Sequence, residues 1–110
     1  MVRKELPTWS GRSKFEYSGS VQFGTHIFFG KAFRYHEFIT PEQYQMLLSH
    51  FKGKTVSLGT SHTDPPTGSV GSWLLSNVCQ RGLASYIGPI LLDERWATRI
   101  SGESDMIRFL

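Results

Sequence analysis

The chain reads as an α+β domain, and three patterns predict it. Apolar and polar side chains alternate over residues 15–36, the period of strands half-buried in a sheet. Residues 41–51 carry apolar side chains at i, i+3, i+4 and i+7, the period of an amphipathic helix. Residues 69–110 then run helix, short break, helix, strand, tight turn, strand. With 110 residues, 39% of them hydrophobic and 14% aromatic, one domain with a real core is expected, burying roughly 65% of its extended surface. The same composition excludes wholesale disorder.

Residues 1–14 are polar, contain Pro7 and Gly11 and show no period, which predicts a flexible arm. Phe15, Tyr17, Val21 and Phe23 then alternate with Glu16, Ser18, Ser20 and Gln22, a strand bent at Gly19. Gly24-Thr25-His26 reads as a turn. Ile27, Phe29, Phe33 and Tyr35 share one phase of a second strand, with Gly30 as a bulge. Residues 15–36 are therefore expected to form an antiparallel β-hairpin or meander.

In the first helix Thr40 is the N-cap, Pro41 the first helical residue and Gln43 the partner that completes a capping box. Tyr44, Leu47, Leu48 and Phe51 form its apolar face, and Gly53 closes it. Residues 54–58 follow as a short strand and residues 59–68 as a loop. Helix two, over 69–78, presents Val70, Trp73, Leu74 and Val78. Helix three, over 83–94, presents Leu83, Tyr86, Ile87, Ile90 and Leu91, and Pro89 predicts a kink or a late start near Ser85. Strands over 96–100 and 106–110 flank a turn at 101–104. The expected core is Phe29, Phe33, Leu47, Leu48, Phe51, Val70, Trp73, Leu74, Leu83, Ile87, Ile90, Leu91 and Ile100.

No apolar run approaches the roughly 18–20 residues that span a bilayer. Arg3 and Lys4 are not followed by the apolar stretch of a signal peptide. The single cysteine, Cys79, leaves no internal disulfide and fits a reducing compartment, so a cytoplasmic protein is expected. The net charge is +3, distributed unevenly: residues 1–54 hold eight Lys/Arg against four acids, and residues 55–110 four against five.

Hydroxyls and glycines ahead of helix two, Thr67 and Ser69 among them, would leave backbone N–H groups free for an anion, or Ser69 would simply cap the helix. Cys79 with His62 and Asp64 has the residue types of a nucleophile, base and orienter, against the commoner role of cysteine as a small buried hydrophobe. The four histidines, His26, His36, His50 and His62, lack metal-ligand spacing. No enzyme motif, cofactor site or metal site is therefore expected. Trp9 in the arm would anchor a partner or pack loosely. Around helix three, Gln80, Arg81 and Ser85 lie off the apolar face with side chains suited to base edges or phosphates, or to a solvated surface.

Residues 73–110, with Ser85-Tyr86-Ile87-Gly88-Pro89-Ile90-Leu91-Leu92-Asp93-Glu94-Arg95-Trp96-Ala97 running from helix straight into strand, resemble the second half of a winged helix-turn-helix. With helix one and residues 54–58 the resemblance covers residues 40–110. It implies a winged-helix-like three-helix core, a C-terminal wing hairpin and an added N-terminal antiparallel β-hairpin. It further implies a small non-enzymatic DNA-binding or regulatory protein, with double-stranded DNA as the partner to expect. Gln80, Arg81 and Ser85 would face the groove, Thr67 and Ser69 a phosphate, and Arg99 or Arg108 the backbone from the wing. The alternative is a protein–protein interaction module, an inhibitor or adaptor, using the hairpin aromatics and Trp9. The aromatic hairpin also predicts a homodimer through residues 15–36. Small orphan proteins of mobile elements and phages resemble it loosely in size.

Overall fold

In the computed structural model, which describes residues 2–110, the first strands are β1 (Lys4–Pro7), β2 (Lys14–Ser20), β3 (Gly24–Phe29) and β4 (Tyr35–Ile39). They form one antiparallel sheet in the order β1-β2-β3-β4. Alternation sends Phe15, Tyr17, Ile27, Phe29 and Ile39 to its buried face. The expected flexible arm is thus corrected: Lys4–Pro7 pairs antiparallel with residues 14–17 of β2, and Trp9 is buried. Met1, the first residue of that arm, lies outside the described residues. The turn between β2 and β3 falls at residues 21–23 and leaves Phe23 exposed, while the predicted second strand breaks into β3, a 3₁₀ turn over Lys31–Phe33, and β4.

Helix α1 (Pro41–Phe51) forms with both bonds of its capping box: Gln43 N–H donates to the Thr40 hydroxyl at 3.0 Å, and Thr40 N–H donates to the Gln43 side chain at 2.9 Å. Strand β5 (Thr55–Ser57), helix α2 (Val70–Asn77), helix α3 (Ala84–Asp93) and strands β6 (Ala97–Ile100) and β7 (Glu103–Phe109) complete the chain. The three C-terminal strands make a second antiparallel sheet, ordered β5-β7-β6.

The winged-helix-like three-helix core is overturned. The described residues form three α-helices and seven strands in two antiparallel sheets, and strands rather than helices supply most of the framework. The reason lies in α3. Its sequence, Ala-Ser-Tyr-Ile-Gly-Pro-Ile-Leu-Leu-Asp, is apolar nearly all round, and a helix of that kind is buried on every side. None of its ten residues is exposed. The helix touches β1 on one side and β6 on the other. Phe15 meets Tyr86 edge-on at 5.3 Å, and Phe29 stacks on Tyr86 at 4.7 Å.

Pro89 lies inside α3 without ending it. A residue with an N–H at position 89 would donate to the carbonyl of Ser85. Instead that carbonyl accepts the backbone N–H of Trp9 at 3.0 Å. Gly88 makes room for the approach, since a Cβ there would lie 2.8 Å from Trp9 Cε3 and 2.9 Å from Leu58 Cδ2.

The C-terminal end of α3 is tied to the first sheet by charge. Lys4 Nζ lies 2.7 Å from Asp93 Oδ2, and Glu94 accepts the Val21 N–H at 2.9 Å. The Tyr17 hydroxyl stands 2.8 Å from Asp93 and 3.0 Å from Glu94, with one proton to donate between them. Burial, then these carboxylate hydrogen bonds and charges, push the Tyr17 phenol far above its ordinary range. Burial by itself would raise Asp93, but the bonds from Lys4 and Tyr17 and the Lys4 charge outweigh it, holding its carboxyl below the ordinary 3.8.

Of the expected core, Phe29, Leu47, Phe51, Val70, Leu74, Leu83, Ile87, Ile90 and Leu91 are buried, while Phe33, Leu48, Trp73 and Ile100 are half-buried. The core also takes in Trp9, Phe15, Tyr17, Ile27, Ile39, Tyr44, Leu58, Ala97, Ile107 and Phe109. No helix among the described residues is long and apolar enough to cross a membrane.

Replacing Gly88 by Ala should lower stability by about 1–3 kcal/mol through overpacking against Trp9 and Leu58, read as a lower denaturant midpoint. The lowered Asp93 pKa contributes stability that is present above pH 3.8 and is lost as pH falls through the folded value. Asp93→Asn should therefore lower stability at neutral pH and flatten the acid limb of the stability curve, measured by denaturant unfolding across pH.

Candidate functional site

A concavity of about 490 Å³ opens where the first sheet meets two loops. Phe29 and Tyr35 line one wall, from the ends of β3 and β4. His62 and Thr63 come from the loop before α2, and Gln80, Arg81 and Gly82 from the loop between α2 and α3.

Each wall is set by local backbone. The 3₁₀ turn over Lys31–Phe33 carries two successive non-glycine residues in the left-handed region, Ala32 at φ 57° and Phe33 at φ 54°. That sharp reversal brings Tyr35 back opposite Phe29, with the rings stacked at 5.7 Å. Gly30, at φ 79°, lies under the Tyr35 ring, where a Cβ would come within 2.5 Å of the ring. On the other wall Gly82 admits His62, since a Cβ there would lie 2.8 Å from the His62 backbone.

Arg81 occupies the centre. Its guanidinium stands 5.1 Å from the Tyr35 ring centroid and 5.7 Å from that of Phe29, within reach of a cation–π attraction. Glu37, the residue two beyond Tyr35 on the same face of β4, holds Arg81 Nε at 3.2 Å. The side chain remains about half exposed and lines the cleft. Gln80, His62 and Thr63 are exposed beside it.

Of the residues proposed from sequence to contact DNA, only Gln80 and Arg81 come together, and they precede α3 rather than lying on it. Thr67 is exposed in its loop. Ser69 is buried as the N-cap of α2, its hydroxyl accepting the Ser72 N–H at 3.1 Å, while Gly71 N–H donates to the Leu58 carbonyl at 2.8 Å. Two of the N–H groups offered to an anion are thus already used by the chain itself. Ser85 is half-buried, its carbonyl given to Trp9. Arg99 donates to the Trp9 carbonyl at 2.8 Å and lies 3.7 Å over its indole, a structural clamp. Arg108 is exposed on β7, opposite Thr55 and Thr98 on its neighbouring strands and apart from the cleft lining. Of the seven, Gln80 and Arg81 thus share the cleft, while the Ser69 and Arg99 side chains are occupied in holding the fold.

Trp9 is no anchor for a partner: its indole N–H donates to the Ser104 carbonyl at 2.8 Å. Phe29, Tyr35 and Glu37 join the site although Phe29 and Tyr35 fit the buried phase of a strand. The available signal was Gly30 within that phase, which marks a reversal as readily as a bulge. Among the described residues no group of three or more His, Cys, Asp or Glu is placed to hold a metal ion. No known family model, curated protein or solved structure matches the chain.

Cys79 lies next to the cleft, with Sγ directed at the Arg81 carbonyl 3.8 Å away. Burial, with the Glu37 charge behind it, pushes its thiol above the ordinary value. A thiol so placed is not an activated nucleophile. Iodoacetamide should alkylate Cys79 in the folded protein several-fold more slowly than in the unfolded chain at neutral pH, followed by mass spectrometry.

Proposed function

We propose that the chain is a non-enzymatic binding protein whose cleft takes a nucleotide unit of a single-stranded nucleic acid. The observation that carries the reading is Arg81, held by Glu37 beside the Phe29 and Tyr35 rings. A nucleotide joins a flat aromatic base to an anionic phosphate. Tyr35 offers the base a ring to stack on, and the guanidinium offers the phosphate paired donors in a fixed plane. Gln80, Thr63 and His62 supply donors and acceptors for the edge of the base. A cleft of about 490 Å³ falls within the usual range of small-ligand sites.

A single strand is favoured over a duplex on two grounds. Bases inside a duplex present only their edges, so an aromatic wall has nothing to stack against. The helix that would read a groove, α3, has no exposed residue to insert. Of the basic residues in 1–54, Lys31 and Arg34 stand in the turn between Phe29 and Tyr35, next to the cleft walls, and support an anionic partner.

A protein–protein interaction module remains a second reading, on one observation. A groove of about 370 Å³ sets Val21, Pro41, Tyr44, Leu48 and Trp96 beside Gln22, Glu42 and Gln45, and Trp96 in it is 41% exposed.

Calorimetric titration with adenosine and uridine monophosphates at low salt tests the first reading. Saturable binding is expected, weakened about tenfold or more by Arg81→Ala through loss of a charged hydrogen bond. The ion pair to Glu37 is at the surface and worth at most about 1 kcal/mol, so the variant should fold. Absence of saturable binding by either nucleotide at low salt overturns the reading and leaves the Trp96 groove in front.

A further inference from the structure

The solvent face of the first sheet carries an array that the cleft does not use. Phe28 and His26 on β3 alternate outward, and their cross-strand partners on β4 are His36 and Phe38. Phe28 and His36 stack at 4.9 Å with planes 15° apart, and His36 stacks on His26 at 5.0 Å and 11°. Phe38 closes on His26 at 4.6 Å with a 42° tilt, and its own side chain is 43% exposed. At the far end the Arg3 guanidinium covers Phe28, 3.6 Å from its centroid, and is held there by Glu16 at 2.8 Å. His26 Nδ1 and His36 Nε2 share a hydrogen bond of 2.8 Å.

Four aromatic rings on the open face of two neighbouring strands are not needed for burial, because the opposite face of those strands already supplies the core. The Phe38 end and the edges of the array meet solvent, beside a hollow of about 240 Å³ lined by Arg3, Ser18, His26 and Phe28.

The charges around it favour an anion. Glu5 and Glu16, the acids of this face, are each paired with a cation, Lys14 and Arg3. Lys31 and Arg34, in the turn joining β3 to β4, are exposed and carry no ion pair among the described residues.

We infer that this face continues the Arg81 cleft as a track for single-stranded nucleic acid, a base stacking on the exposed Phe38 ring and others packing along the edges of the Phe28–His36–His26 stack. The inference rests on the nucleotide reading of the cleft and extends it. Tyr35, in the cleft, and His36, on the face, are successive residues of β4, about 3.8 Å apart along the chain. Because β4 is the edge strand of the sheet, a polymer leaving the cleft has one strand to cross, past Lys31 and Arg34. Stacking on rings tolerates any base, since every base has a π-face. Little sequence preference and a strong salt dependence follow.

The experiment compares uridine monophosphate with oligouridylates of increasing length, up to about eight nucleotides, by calorimetry and fluorescence anisotropy. Affinity is expected to rise with length. Phe38→Ala and His36→Ala should weaken the longest oligomer about tenfold each while leaving the monophosphate unchanged, and Arg81→Ala should weaken both ligands. Both face variants alter exposed side chains, and an unchanged unfolding midpoint confirms their fold. Affinity that does not grow with length, or oligomer binding indifferent to both face substitutions, overturns the track while leaving the cleft reading intact. Oligomers that bind through Phe38 when the monophosphate does not would support the face and remove the cleft. A wild-type dimer in sedimentation that Phe38→Ala converts to monomer would overturn the proposal and assign the face to a second copy of the chain.

Discussion

One missing hydrogen bond organises this molecule. Pro89 deprives the Ser85 carbonyl of its partner inside α3, and the Trp9 backbone fills the vacancy at 3.0 Å. A buried carbonyl left unpaired would be destabilising by about 1–3 kcal/mol, so the helix needs the N-terminal segment as much as the segment needs the helix. Trp9 then serves three neighbours at once. Its ring packs against Gly88, its indole N–H binds the Ser104 carbonyl, and Arg99 of β6 clamps it from above. The first sheet, the central helix and the β6–β7 hairpin are thereby joined at a single residue.

Much of the local structure was legible because its causes are local. The capping box of α1, the β6–β7 hairpin and the strand alternation from Phe15 to Tyr17 depend on residues close in sequence, and each forms near its expected place. The arm and the three-helix core failed for the opposite reason. Nothing within residues 1–14 announces that Trp9 has a partner, because the partner is a carbonyl released by a proline 80 positions later. One warning was present: α3 has almost no polar face, and a helix without one has no groove-reading surface to offer. Pro89 predicts a kink or a late start, but within α3 it acts as a docking point for Trp9.

The candidate site was half legible. Gln80 and Arg81 were singled out for their chemistry, and they do meet in the cleft, but their ligand-facing neighbours come from β3 and β4. Residue type is visible in sequence, whereas juxtaposition across 46 positions from Tyr35 to Arg81 requires the sheet to be folded. The reversal at Ala32 and Phe33 does that work against its own backbone preference. Two left-handed non-glycine residues are each disfavoured by about 1–3 kcal/mol, and such geometry persists only where the surroundings enforce it.

The burial of α3 also decides where charge can act. With Asp93 and Glu94 turned inward to hold Lys4, Tyr17 and the Val21 N–H, the acids at the end of the helix are engaged in fastening the first sheet. Glu37 is likewise engaged with Arg81. The acids that balance the basic N-terminal half are therefore largely consumed in internal ties, while Lys31 and Arg34 stand in the exposed turn. A modest net charge of +3 consequently understates the local field at the β3–β4 turn. There an anionic ligand would meet two cations beside aromatic rings on both faces of the edge strand.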